Sequence, residues 1–223
     1  MKNVREFLNA PPNEVPVRGF LHLPADSPGD ALILTHGAGA NCNTPLLVAL
    51  ADAFCDSGWI VLRCDLPFRQ SRPTGPPPPG SADRDQQGIK AAVAAMRQHT
   101  AGRIFLGGHS YGGRQSSMLA AAEPGLVDSL LLLSYPLHPP RRPDQLRTTH
   151  FPRLQTPAMF VHGTRDPFGS VDELTAALKL IPASTELISI EPAGHELLTK
   201  KNHEELPDQI VEAFRLFADA RSV

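Results

Sequence analysis

Apolar residues are arranged along this chain in two recurring patterns. The first is a short, nearly continuous apolar run of strand length: Ala31–Thr35, Ile60–Cys64, Arg103–Leu106, Val127–Leu133, Ala158–Val161 and Glu186–Ile190, with an earlier run at Arg18–Leu23 stopped by Pro24. The second is a longer stretch whose apolar positions recur every three or four residues, as in Asp83–His99, where Ile89, Ala92, Val93 and Met96 share one helical face. Further helices are predicted from Pro45, after Thr44, to about Ser57, and over Tyr111–Ala122, Val171–Leu180 and Leu206–Ala218. Pro45 suits a first helical position, and Gly58 closes that segment.

Apolar strands alternating with amphipathic helices predict an α/β fold with a parallel sheet buried on both faces. No repeat and no linker divides the sequence, so residues 1–223 are expected to form one domain. Proline interrupts the pattern in two places, Pro73–Pro79 and Pro136–Pro143, both read as stiff loops between regular elements. The segment Pro76–Pro79 could serve as a docking ligand, but its position between core elements favours a rigid wall beside a cleft. The long stretch Tyr135–Thr156 has no strong periodicity and is expected to form a modest rim.

Composition then removes several classes of function. A net charge of −2 and an aromatic content of 6 % give no footing for nucleic acid or an anionic membrane surface. The cysteines Cys42, Cys55 and Cys64 are odd in number and match no metal spacing, so neither a disulfide framework nor a metal site is expected, and Cys64 reads as a small buried filler. Residues Met1–Pro12 lack the apolar core of a signal peptide, and no run approaches the ~18 residues of a membrane span. The expectation is a soluble, cytoplasmic protein acting on a small molecule, with no cofactor.

The chemistry begins at Gly108-His109-Ser110-Tyr111-Gly112. A serine between two glycines, directly after an apolar strand and before a helix, reads as a nucleophile elbow, with Ser110 at the apex of a strained turn. In isolation the pattern is short and has many chance matches. A serine hydroxyl needs a base within hydrogen-bond reach, and that base needs an acid to hold its tautomer. In a parallel sheet such groups gather after the carboxyl ends of strands. Asp166, after Ala158–Val161, and His195, after Glu186–Ile190, both satisfy this, in the order Ser110, Asp166, His195. Asp65 also follows a strand but precedes the elbow, so it is assigned a structural hydrogen-bonding role.

Oxyanion stabilisation needs two backbone N–H groups. Tyr111 is expected to supply one and Ala38, in His36-Gly37-Ala38-Gly39, the other, with Gly39 the second candidate for that donor and a residue expected to line the substrate. His36, His109 and His162 read as braces, and His22, His99, His150 and His203 as surface or loop residues. Arg69, Arg72 and Arg114 fall near the same loops. Arg69 and Arg114 are candidates for gripping a substrate carboxylate or phosphate, against the alternative that they brace the proline loop or face solvent.

Taken together, the segments 35–40 (Thr-His-Gly-Ala-Gly-Ala), 65–69 (Asp-Leu-Pro-Phe-Arg), 107–114, 135–140 (Tyr-Pro-Leu-His-Pro-Pro) and 163–168 (Gly-Thr-Arg-Asp-Pro-Phe) resemble a compact, cap-less branch of the α/β-hydrolases. That branch resembles the dienelactone hydrolases, and it includes the hydrolase-like domain of an NSL histone-acetyltransferase complex subunit and a testis-expressed relative. The resemblance spans Gly19 to Ala218. It implies a mostly parallel twisted sheet of about seven or eight strands with helices on both faces and no cap domain. It also implies Ser110 as nucleophile, Asp166 as acid and His195 as base. Dienelactone hydrolases proper carry a cysteine where this chain has Ser110.

Three functions follow as expectations: a carboxylesterase-like serine hydrolase acting on a small ester, an interaction module with an idle site, and a small peptidase.

Overall fold

The computed structural model describes residues 3–25 and 29–220. Eight strands form one sheet in the order β1-β2-β4-β3-β5-β6-β7-β8. The strands are β1 (Asn3–Asn9), β2 (Val17–Leu23), β3 (Ala31–Thr35), β4 (Ile60–Asp65), β5 (Ile104–His109), β6 (Ser129–Leu133), β7 (Ala158–Gly163) and β8 (Thr185–Ile190). β2 runs antiparallel to both β1 and β4, and every pairing from β4 to β8 is parallel.

Strand periodicity divides the core in two. In β3, Ala31 and Ile33 pack on one face while Leu32 and Leu34 pack on the other, and in β6 Leu130 and Leu132 oppose Leu131 and Leu133 in the same way. Helices α1 (Pro45–Asp56) and α6 (Leu206–Asp219) cover the second face; α3 (Ala82–Met96), α4 (Tyr111–Ala122) and α5 (Val171–Leu178) cover the first. Both faces are therefore apolar, which is why the central strands read as continuous apolar runs rather than alternating ones. Among the described residues no helix is long and apolar enough to cross a membrane.

Several expected boundaries shift. β1 was not expected: Asn-Val-Arg-Glu-Phe-Leu-Asn mixes charge and apolar residues because it is a largely exposed edge strand. β5 runs three residues past Leu106 to His109, since Gly107 and Gly108 stay in register with Leu34 and Thr35. β6 starts at Ser129, two residues after Val127. The segment between β4 and the proline loop folds into a short helix, α2 (Pro67–Ser71), with Phe68 packed into the core. Nor is all of 135–156 a surface rim: residues 140–146 are exposed, but Tyr135, Leu137, Phe151 and Leu154 are buried in the core, and a 3-10 turn, Phe151–Arg153, is the regular element within it. The connection from β6 to β7 thus carries no helical cap.

Candidate active site

Ser110 sits where β5 ends and α4 begins, with φ 52° and ψ −114°. This is a left-handed backbone conformation for a residue with a side chain, held because the surroundings leave no alternative. The elbow is packed directly against the end of β3. A Cβ on Gly112 would lie 2.5 Å from the Thr35 hydroxyl and 2.7 Å from the His36 carbonyl, so no larger residue fits there. The turn leaves the serine side chain at the edge of a cleft of about 350 Å³ lined by Gly37, Ala38, Gly39, Ala40, His109, Phe168, His195 and Glu196. Two larger hollows, about 590 Å³ between α1 and α6 and about 770 Å³ beside β1 and β2, contain none of Ser110, Asp166 and His195.

The structure brings the three expected residues into one hydrogen-bonded line. His195 Nε2 lies 2.8 Å from Ser110 Oγ, and His195 Nδ1 lies 2.8 Å from Asp166 Oδ2. A carboxylate only accepts, so this contact puts the proton on Nδ1 and leaves Nε2 as the acceptor facing the serine. Asp166 is fixed in turn by the Phe168 N–H, which donates to Oδ1 at 2.9 Å. The acid and base loops meet closely because Gly163 ends β7: a Cβ there would come within 2.5 Å of the Gly194 carbonyl. The ring of Phe168 lies 4.3 Å from the imidazole of His195 and limits its rotation.

The backbone around the cleft is aimed by two further histidines. His36 donates Nδ1–H to the Gly37 carbonyl at 2.8 Å and accepts the Leu66 N–H at Nε2, so both ring nitrogens are spent on holding the 36–40 loop to the end of β4. His109 donates Nε2–H to the His195 carbonyl at 2.8 Å. Burial is the main cause that lowers the pKa of both rings, which keeps them neutral braces. Ala38 and Gly39 line the cleft opposite Ser110, while Tyr111 opens α4, where its N–H precedes the intrahelical ladder.

A family model described as an alpha/beta hydrolase domain matches residues 28–219. The chain belongs to that α/β-hydrolase family. Solved structures agree on the fold of this hydrolase-fold chain. Est1E from Butyrivibrio proteoclasticus is 16 % identical, with a TM-score of 0.77 over 97 % of this chain and 99 % of that one. A dienelactone hydrolase from Anabaena variabilis is 20 % identical, with a TM-score of 0.74 over 96 % of this chain and 98 % of that one. An esterase from Pyrococcus furiosus is 14 % identical, with a TM-score of 0.74 over 96 % and 91 % respectively.

In this α/β-hydrolase chain the two arginine candidates are not brought into the cleft. Arg69 is buried, with four of its N–H donors on backbone carbonyls: Ala40 at 2.7 Å, Arg72 and Gly75 at 2.8 Å, and Ala38 at 3.0 Å. The guanidinium therefore ties the 38–40 loop to the proline loop and has little left for a substrate. Arg114 lies one turn into α4, facing Tyr135 and His150 rather than the cleft lining. Arg72 is exposed, and the run Pro76–Pro79 does not contribute to the lining.

Replacing Arg69 by alanine would strand four carbonyls. We expect a loss of about 2–4 kcal/mol in urea unfolding, with the lysine variant recovering only part because an ammonium cannot fan across four acceptors. A change below about 0.5 kcal/mol would show that the brace is dispensable.

Two histidines expected at the surface or in loops are buried: His22 lies within β2, and His150 lies in a turn, as a loop residue, but is enclosed. His22 accepts the Arg63 Nε–H at 2.9 Å, and His150 Nε2 pairs with the Ser117 hydroxyl at 2.8 Å. Asp65 accepts the Cys42 N–H at 2.8 Å, the structural role expected for it. All three cysteines are buried, and burial foremost pushes the Cys42 thiol up to about 12, so it stays protonated.

Sequence reasoning missed three residues around the site: Phe168, Glu196 and Asp85. Asp85 is fully buried on α3 and accepts the Tyr111 hydroxyl at 2.7 Å and the Phe68 N–H at 3.0 Å. It thereby anchors the side chain of the residue after Ser110. A signal was present, because Asp85 falls on the same helical face as Ile89, Ala92 and Met96, where a carboxylate is out of place unless it is hydrogen-bonded.

Proposed function

We propose that the chain is a serine hydrolase, carboxylesterase-like, that cleaves a small ester through an acyl-enzyme on Ser110. The observation that carries this reading is the line from Asp166 through His195 to Ser110, with both contacts at 2.8 Å and the imidazole tautomer set for accepting a proton. In the reaction Ser110 Oγ attacks the ester carbonyl as its proton passes to His195 Nε2, and Asp166 stabilises the imidazolium. The N–H groups of Ala38 and Tyr111 hold the oxyanion. The C–O bond to the leaving alcohol breaks, and His195 returns the proton to that oxygen. Water then attacks the acyl-serine with His195 again taking a proton, releasing the carboxylic acid and restoring the serine hydroxyl. No metal, cofactor or oxidant enters the balance.

A cleft of about 350 Å³ without a helical cap suits a small or exposed acyl group rather than a long buried one. The direct test is labelling with a fluorophosphonate, which needs an activated serine and no natural substrate. The folded protein should be labelled stoichiometrically at Ser110, located by peptide mass, and the denatured protein should not. A folded protein that resists labelling would favour the reading as an interaction module on a hydrolase fold.

A further inference from the structure

The charges around the cleft narrow the substrate class. Of the residues that line it, Glu196 alone carries a carboxylate, and no lysine or arginine is among them. Arg69 is committed to four carbonyls and Arg114 faces away. Glu196 has no ion-pair partner among the described residues. Its charge reaches the site, since it bears on the buried ring of His109, and Asp166 adds a second negative group behind His195.

The turn that presents Glu196 is firmly built. The Leu197 N–H donates to the Gly194 carbonyl at 3.2 Å and the Leu198 N–H to the Glu196 carbonyl at 2.6 Å. Leu197 adopts φ 58° with its side chain buried in the core. Holding a leucine in that conformation costs energy that a slack loop would shed, so the backbone that carries Glu196 is fixed by the core, while its side chain is exposed at the cleft. Phe168, half-buried, supplies an aromatic ring in the same lining. A carboxylate and an aromatic ring beside one cleft are the two groups that recognise an ammonium ion.

We propose that this cleft selects esters carrying a positive charge, with the ammonium group held by Glu196 and Phe168 while the ester carbonyl meets Ser110. The proposal rests on the hydrolase reading of the same site and adds a substrate class to it. It also accounts for an arginine pair turned away from the cleft: an anionic substrate would meet Glu196 with nothing to offset it.

The test compares acetylthiocholine with its uncharged isostere, 3,3-dimethylbutyl thioacetate, which differs in charge but hardly in shape. Water cleaves either to acetate and a thiol, read by a thiol reagent, and the buried cysteines of the protein add little background. At low ionic strength kcat/KM should favour the cation by about tenfold, the size of one carboxylate attraction at close range in a partly hydrated cleft. The preference should shrink at high salt, close in Glu196→Gln and reverse in Glu196→Lys.

Equal rates in the wild type, or a preference that survives Glu196→Gln, would overturn the proposal and leave the hydrolase reading standing. If neither thioester is cleaved, the same comparison is made on the rates at which cationic and uncharged phosphonothiolates inactivate Ser110, with the same two outcomes. If no phosphonate modifies Ser110, the hydrolase reading falls, and the proposal with it.

Discussion

Replacing Ser110 by alanine should reduce turnover of p-nitrophenyl acetate by at least about a thousandfold while leaving the protein folded. The substitution removes one atom, the Oγ that lies 2.8 Å from His195 Nε2. What survives is a cleft that still offers backbone donors to an oxyanion and a base that could activate water. For that reason a residual rate above the uncatalysed one is expected rather than none. The fold should tolerate the change because alanine keeps the Cβ, so the backbone at φ 52° is no more strained than before. Loss of one partly exposed hydroxyl contact should shift stability by no more than about 1 kcal/mol. Unfolding in urea and turnover thus separate cleanly. If Ser110→Ala kept more than a few per cent of the activity, the nucleophile would have to lie elsewhere in the chain.

How much of this was legible in the sequence follows from burial. The strands β3, β5, β6 and β7 are buried on both faces, so each is an apolar run bounded by turn residues, and each could be read directly. β1 is an exposed edge with no such run, and its strand character comes only from pairing with β2. The residues Ser110, Asp166 and His195 were legible because each follows a strand whose end could be located, and topology then brings those ends together. Arg69 was not, because its position near the loops was visible but the direction of its guanidinium was not. That direction depends on the carbonyls of Ala38 and Ala40, about thirty residues away in the chain. The burial of His22 and His150 was not legible for the same reason: their partners, Arg63 and Ser117, are 41 and 33 residues distant, and nothing local marks a histidine as buried. Asp85 is the intermediate case, a carboxylate on an apolar helical face that could have been noticed, although its partner Tyr111 could not.

Asp166→Asn should be nearly as damaging as loss of the serine, with a fall in kcat of about 10⁴, and the surrounding hydrogen bonds say why. The side chain has two fixed obligations: Oδ1 accepts the Phe168 N–H at 2.9 Å, and Oδ2 accepts from His195 Nδ1 at 2.8 Å. An asparagine has one oxygen. Both positions are buried, so leaving the Phe168 N–H without an acceptor would cost about 1–3 kcal/mol. The amide oxygen will therefore turn to Phe168, and its NH₂ group will face His195. Two donors cannot share that contact, so the imidazole must give up the proton on Nδ1 and carry it on Nε2 instead. Nε2 then donates toward Ser110 and cannot receive the serine proton. The variant is expected to fold with close to wild-type stability, to show the Nε2–H tautomer by nitrogen NMR, and to label slowly with fluorophosphonate although Ser110 is intact. A loss of less than about tenfold, or an unchanged tautomer, would remove Asp166 from its assigned role and reopen the case for Asp65, which the structure places against Cys42 and His36 instead.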